Sequence, residues 1–157
     1  MVLEVQPKDV RGYFMLPQAP EGAGYYVYGT PGEGAGQFPH PLMMSLLLFV
    51  ESEWAAMDSR KFGIGNISLA GGEAYAKHRS HKKGLEVDVR PVRKDGKRTA
   101  VYWHWADQYD REATAKLIAL FRAFPGVGKV YFNDPDLRHP VLPLVNHDNH
   151  FHVELKA

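Results

Sequence analysis

The chain has 157 residues, a length that favours one domain over two independent cores. Lys and Arg total 19 against 18 Asp and Glu, and the net charge of +1 gives no general electrostatic reason for nucleic-acid or membrane-surface binding. The 45% hydrophobic content excludes a disordered chain, no apolar run approaches the ~20 residues of a membrane span, and the absence of cysteine excludes a disulfide framework and any thiolate-ligated metal. With eight His and no Cys, a metal site here has to use imidazoles and carboxylates.

Residues Met1 to Pro20 carry Glu4, Lys8, Asp9 and Arg11 and no apolar core, so no secretory signal is expected there. Residues 1–24 carry no assignment within the single domain expected over 1–157. Tyr25 to Tyr28 suit a short strand, and Thr30 to Gly36 a loop. After Pro39-His40-Pro41, an amphipathic helix is expected. Met43, Leu46, Leu47, Val50, Trp54 and Met57 recur at helical spacing and form its core stripe. A strand is expected over Gly63–Leu69, with Ile67 and Leu69 on one face. Leu85, Val87 and Val89 alternate with Glu86, Asp88 and Arg90, the pattern of a half-buried strand. Lys94 to Lys97 contains Asp-Gly and reads as a turn. Asp110 is placed to cap a second helix with Leu117, Ile118, Phe121 and Phe124 inward, ended by Pro125-Gly126. Lys129 to Asn133 reads as a strand and Asp134 to Pro143 as a loop. The closing strand sets Phe151, Val153 and Leu155 against His150, His152 and Glu154. Strands mixed with two helices predict an α+β domain with a small central antiparallel sheet and flanking helices.

Strand geometry concentrates the chemistry. Side chains alternate faces, so His150 and His152 share the polar face, ~7 Å apart along the strand. Asp88 opposes Val87 and Val89 in the same way. If the two strands pair with their apolar faces toward one core, Asp88, His150 and His152 project from one side. His81 precedes Asp88 by seven residues, with Gly84 between them to allow a turn. Two imidazoles and a carboxylate form a catalytic zinc set with a position left for water. The metal acidifies that water and polarises a carbonyl, while a histidine off the metal moves the proton. Either His150 or His152 can serve as the ligand on this reading. His40, His104 and His139 are expected to be surface or satisfied residues. Lys77 to Lys83 reads as a solvated basic loop suited to a carboxylate-rich peptide, not to nucleic acid. Tyr25, Tyr28, Trp103 and Trp105 fit a groove or an ordinary core equally well.

The run His78-Arg79-Ser80-His81-Lys82-Lys83-Gly84-Leu85-Glu86-Val87-Asp88 resembles the His-x-Ser-His-x-x-Gly-Leu-x-x-Asp motif of the penicillin-insensitive murein endopeptidases. The tail His147-Asp148-Asn149-His150-Phe151-His152-Val153 resembles that family's second motif, His-x-x-His-x-His-Val. These enzymes belong to the LAS group of zinc peptidases, with lysostaphin-type enzymes, D-Ala-D-Ala carboxypeptidases and the zinc domain of sonic hedgehog. Weaker likeness extends to Gly65–Gly72, His40-Pro41 and Phe132-Asn133, so that it covers about residues 25–156.

The resemblance implies a LAS/hedgehog-like zinc peptidase domain holding one Zn2+ through His81, Asp88 and His152. It implies that His150 assists proton transfer, and that His147 and His78 are auxiliary active-site histidines, with His147 suited to the oxyanion. The implied reaction is hydrolysis of the D-alanyl–meso-diaminopimelyl cross-link of peptidoglycan, with peptide stems as the partner and no covalent enzyme intermediate. The implied place of action is the periplasm or cell wall. Without a leader, the chain is expected to be made in the cytoplasm and delivered by a non-standard route, or to have had a leader removed. Delivery of that kind suits a wall-cutting toxin or phage-type lysis protein, and a toxin implies an inhibitory immunity protein. The alternatives are another LAS specificity (a D,D-carboxypeptidase or an L-alanyl–D-glutamate endopeptidase) and an inactive zinc-binding module that recognises the wall.

Overall fold

The computed structural model describes residues 6–18, 20–75, 80–138 and 140–157. In chain order the elements are β1 (Tyr25–Val27), α1 (Pro41–Met57), β2 (Phe62–Ile64), β3 (Glu86–Arg90), α2 (Arg111–Ala123), β4 (Val127–Tyr131) and β5 (Phe151–Leu155). Single 3-10 turns lie at Ala70–Gly72 and Pro135–Leu137. The five strands form one sheet in the order β1-β2-β3-β5-β4. The sheet is mixed, not antiparallel as expected: β1 runs parallel to β2, and the other pairs are antiparallel. The reason is α1, a helical crossover that returns the chain to the end from which β1 started.

The ends of α1 follow from the local sequence. Pro41 occupies the first turn, and His40 Nδ1 accepts the Leu42 amide at 3.1 Å, so His40 is a satisfied capping residue. Met43, Leu46, Leu47, Val50 and Trp54 are buried as the stripe predicts. Met57 is not: it is 52% exposed and lines a surface groove with Asp58, Arg60 and the start of α2. Asp110 caps α2 by accepting the Ala113 amide at 2.9 Å, and Leu117, Ile118 and Phe121 are buried. Phe124 is half-buried and closes that helix. Both helices join Val87, Val89, Phe151 and Val153 in one hydrophobic cluster, so the apolar sheet face is covered and the other face is left for chemistry.

Two strands differ from expectation. β2 stops at Ile64 instead of running to Leu69. The buried Gln37 side chain donates to the carbonyls of Ile64 and Gly65 at 3.0 and 2.9 Å, which draws those groups out of a regular ladder. β4 starts and ends two residues before the expected Lys129–Asn133, and an irregularity between Val127 and Val130 shifts its register on β5.

The segment without a sequence assignment is built into the molecule. Leu16 is fully buried, and Lys8 bridges Phe14 across a tight reversal. Arg11 reaches from this reversal to the Lys82 carbonyl (2.8 Å), the Ser68 hydroxyl (3.0 Å) and the Leu69 carbonyl (2.9 Å). Asp9 holds the Arg11 guanidinium at 2.7 Å and accepts the Gly71 amide. Arg11 therefore ties the N-terminal segment to both arms of the loop leading into His81. Arg11→Ala should lower stability by about 2 kcal/mol, since several charge-assisted bonds are lost together. Urea denaturation measures this, and a change below about 0.5 kcal/mol would show the clasp to be energetically idle.

Candidate metal centre

β3 and β5 pair antiparallel with Asp88 opposite His152 and Glu86 opposite Glu154. Register therefore brings the polar residues of both strands to one face, as the alternation requires. His81 arrives from the preceding turn. Gly84 makes this possible: its φ is +71°, and a Cβ there would collide with the backbone of Phe38 and His40. The Gly84 carbonyl also accepts the His40 amide at 2.9 Å.

Three imidazoles face one carboxylate oxygen. Asp88 Oδ1 lies 3.0 Å from His152 Nδ1, 3.4 Å from His81 Nε2 and 3.8 Å from His150 Nε2. His81, Asp88 and His152 are buried, at 3%, 5% and 6% exposure. These residues open into a cleft of about 510 Å³ that Ser80, Tyr131, Leu144, Val145, His147 and Glu154 also line. The His147 and His150 rings lie against each other at a tilt of 41° with centroids 4.7 Å apart, and the His81 and His152 rings meet edge to face at 5.0 Å. The loop carrying His147 and His150 is pinned by Asp148, which accepts from Trp103 Nε1 and Asn133 Nδ2, each at 3.0 Å.

Charges in the cluster stabilise one another. Burial opposes ionisation of Asp88, but the bonds to His152 and His81 outweigh it and hold the carboxyl well below the usual carboxylate range. Burial likewise opposes a charge on His152. The hydrogen bond to Asp88 outweighs that, with Glu86 beside the other ring nitrogen adding to it, and the pKa is pushed up to about 9.

His81, Glu86 and His152 can hold a metal ion, because each offers one ligand atom and those atoms lie within 4.8 Å of one another. Asp88 adds a second carboxylate to the same pair of imidazoles. The sequence singled out His81, Asp88, His147, His150 and His152, and all five line this cleft. His78 and His139 lie outside the described residues. His104 is exposed, as expected of a surface residue. Tyr25 belongs to the core, while Tyr28 borders a small cavity that shares Asp88 and His150 with the main cleft. Trp103 is half-buried as an anchor of the histidine loop, and Trp105 is 40% exposed.

Sequence reasoning missed Glu86, Glu154 and Tyr131, though the alternation that selected Asp88 and His152 puts Glu86 and Glu154 on the same face. Ser80 and Lys83 have the Ser-x-x-Lys spacing of a serine nucleophile and its base. Both are exposed on a turn, without the burial by which such a base is tuned.

The fold and the cluster together define an α+β domain with a candidate metal centre on the open face of its sheet. No protein-family model matches the chain, and no curated protein sequence matches it.

Proposed function

We propose that the chain is a zinc peptidase of the murein endopeptidase type that hydrolyses peptide cross-links of peptidoglycan. The observation that supports this best is the meeting of both sequence motifs at one carboxylate oxygen, Asp88 Oδ1, with His81 and His152 at 3.4 and 3.0 Å. Bond lengths of ~2.0–2.1 Å put neighbouring ligand atoms of a tetrahedral zinc roughly 3.3 Å apart, so these spacings fit His81 Nε2, Asp88 Oδ1 and His152 Nδ1 as the ligand set. When bound, zinc polarises the scissile carbonyl and acidifies water.

The remaining histidines supply the proton chemistry. His150 donates Nδ1–H to Asn149 Oδ1 at 2.9 Å, which leaves Nε2 as its basic nitrogen, on the Asp88 side of the ring. It takes a proton from the attacking water and passes it to the leaving amine. His147 Nδ1 donates to the Val145 carbonyl at 2.8 Å, and the ring lines the cleft where an oxyanion would develop. The scissile bond we favour is D-alanyl–meso-diaminopimelyl. The place of action is then the periplasm or wall, and a toxin of this kind implies an inhibitory immunity protein in the producing cell.

The test is digestion of cross-linked peptidoglycan with and without a chelator, read by mass spectrometry. Dimers falling to monomers, stopped by chelator and restored by zinc, are expected. Defined muropeptides then separate the endopeptidase from a carboxypeptidase or an L-alanyl–D-glutamate enzyme. His150→Ala should retain zinc and lose about a hundredfold in rate. Hydrolysis at the parent rate with zinc still bound would remove His150 from the mechanism.

A further inference from the structure

The four described histidines of the cleft are not held alike. His81 and His147 each use Nδ1 toward a backbone carbonyl, Ile67 at 3.1 Å and Val145 at 2.8 Å. A carbonyl only accepts, so Nδ1 carries a proton in both, and Nε2 is the nitrogen each can turn to a metal. His150 has the same arrangement on Asn149 Oδ1. His152 is reversed: its Nδ1 faces Asp88 at 3.0 Å, and its Nε2 faces Glu86 Oε1 at 3.8 Å and Glu154 Oε1 at 4.0 Å. An imidazole offers a metal one nitrogen only. If Nδ1 of His152 is the ligand, the proton must sit on Nε2 and needs an acceptor there.

Resting on the zinc reading above, we propose that Glu86 is a positioning residue: its carboxylate takes the Nε2–H of His152 and thereby commits Nδ1 to the metal. Three observations carry this. Asp88 and Glu86 are two residues apart on β3 and bracket the His152 ring, one toward each nitrogen. Glu86 is closer to Nε2 than Glu154 and more buried, with side-chain exposures of 19% and 34%. Glu86 Oε2 is buried with no hydrogen-bond partner, so this carboxylate has no competing bond at that oxygen. The 3.8 Å gap exceeds a hydrogen bond by roughly 0.8 Å, within reach of one side-chain torsion.

The opposite arrangement makes Glu86 a ligand beside His81 and His152 Nε2, with Asp88 accepting Nδ1–H. The two arrangements predict opposite tautomers. The experiment is zinc affinity by competition with a chromophoric chelator for the full chain, Glu86→Gln, Glu86→Ala and Asp88→Asn, together with long-range 1H–15N spectra of the zinc-loaded full chain. We expect Glu86→Ala to weaken zinc binding 10- to 100-fold, Glu86→Gln to recover most of that through its amide oxygen, and Asp88→Asn to be the most damaging. We expect the His152 proton on Nε2. A proton on Nδ1, or loss of zinc in Glu86→Gln while Asp88→Asn retains it, makes Glu86 a ligand and overturns the proposal. Unchanged affinity in both Glu86 variants also overturns it while leaving the zinc reading intact. A full chain that takes up no zinc overturns both. If Glu86→Ala does not fold, the isosteric Glu86→Gln and the tautomer of the unmodified chain decide.

Discussion

Asp88→Ala should abolish zinc binding and lower hydrolysis by at least about a thousandfold while the fold survives. Asp88 Oδ1 is the atom that His81 and His152 share, so its removal takes one proposed ligand and the counter-charge of the other two. Metal polarisation is worth several kcal/mol of transition-state stabilisation, and about 4 kcal/mol is about a thousandfold in rate. The fold should stand because the cluster lies opposite the core. Val87 and Val89, on either side of Asp88, face the helices and are fully buried, as are Phe151 and Val153 around His152. The measurements are zinc content, hydrolysis and a melting curve on the same preparation. A cooperative transition that disappears with Asp88→Ala, or on adding chelator to the full chain, would instead make the metal structural.

Zinc uptake should depend steeply on pH. In the metal-free protein the His152 pKa is pushed up to about 9, above the ~6.5 of an unfolded histidine. Its proton on Nδ1 must leave before that nitrogen can bind a metal. The apparent zinc affinity should therefore fall roughly tenfold per unit as pH drops below 9, or about a hundredfold from pH 8 to pH 6. Calorimetry in buffers of different ionisation enthalpy should show about one proton released per zinc. A flat affinity over that range would mean that His152 is neutral before the metal arrives.

The same pair sets the stability of the metal-free protein. The raised pKa of His152 contributes stability that is fully present below pH ~6.5 and is lost as pH rises through about 9. The lowered pKa of Asp88 contributes stability present above the ordinary carboxylate range and lost as pH falls through its depressed value. Both describe one ion pair, counted once, and after solvent and coupling are allowed for its size is on the order of 2 kcal/mol. The metal-free melting temperature should therefore decline between pH 6.5 and 9, and zinc should reverse that decline.

The candidate site was legible wherever its chemistry follows a short period. Alternation over 85–90 and 150–155 placed Asp88 and His152 on polar faces of β3 and β5, whereas His150, expected on the same strand, stands on the loop just before β5. The α1 stripe and the Asp110 cap were equally local, because helix spacing and capping depend on neighbours in the chain. Conformational freedom at Gly84 was legible too, since the turn between His81 and Asp88 needs it.

Other features depend on contacts far apart in sequence. The parallel β1–β2 pair depends on where α1 returns the chain, Met57 is exposed because of what lies around the end of α1, and β2 ends where the Gln37 side chain takes its carbonyls. Arg11 joins the His81 loop across 71 residues of sequence. By itself, then, the sequence determined which residues share a face, because a 2.0 or 3.6 repeat is a property of the backbone. Only the tertiary structure decided which nitrogen of each histidine faces the centre, and that Glu86 stands behind His152. The rings of His81 and His152 are oriented by acceptors on other segments, Ile67 and Asp88, and those of His147 and His150 by Val145 and Asn149 on their own irregular loop, which has no repeat to read.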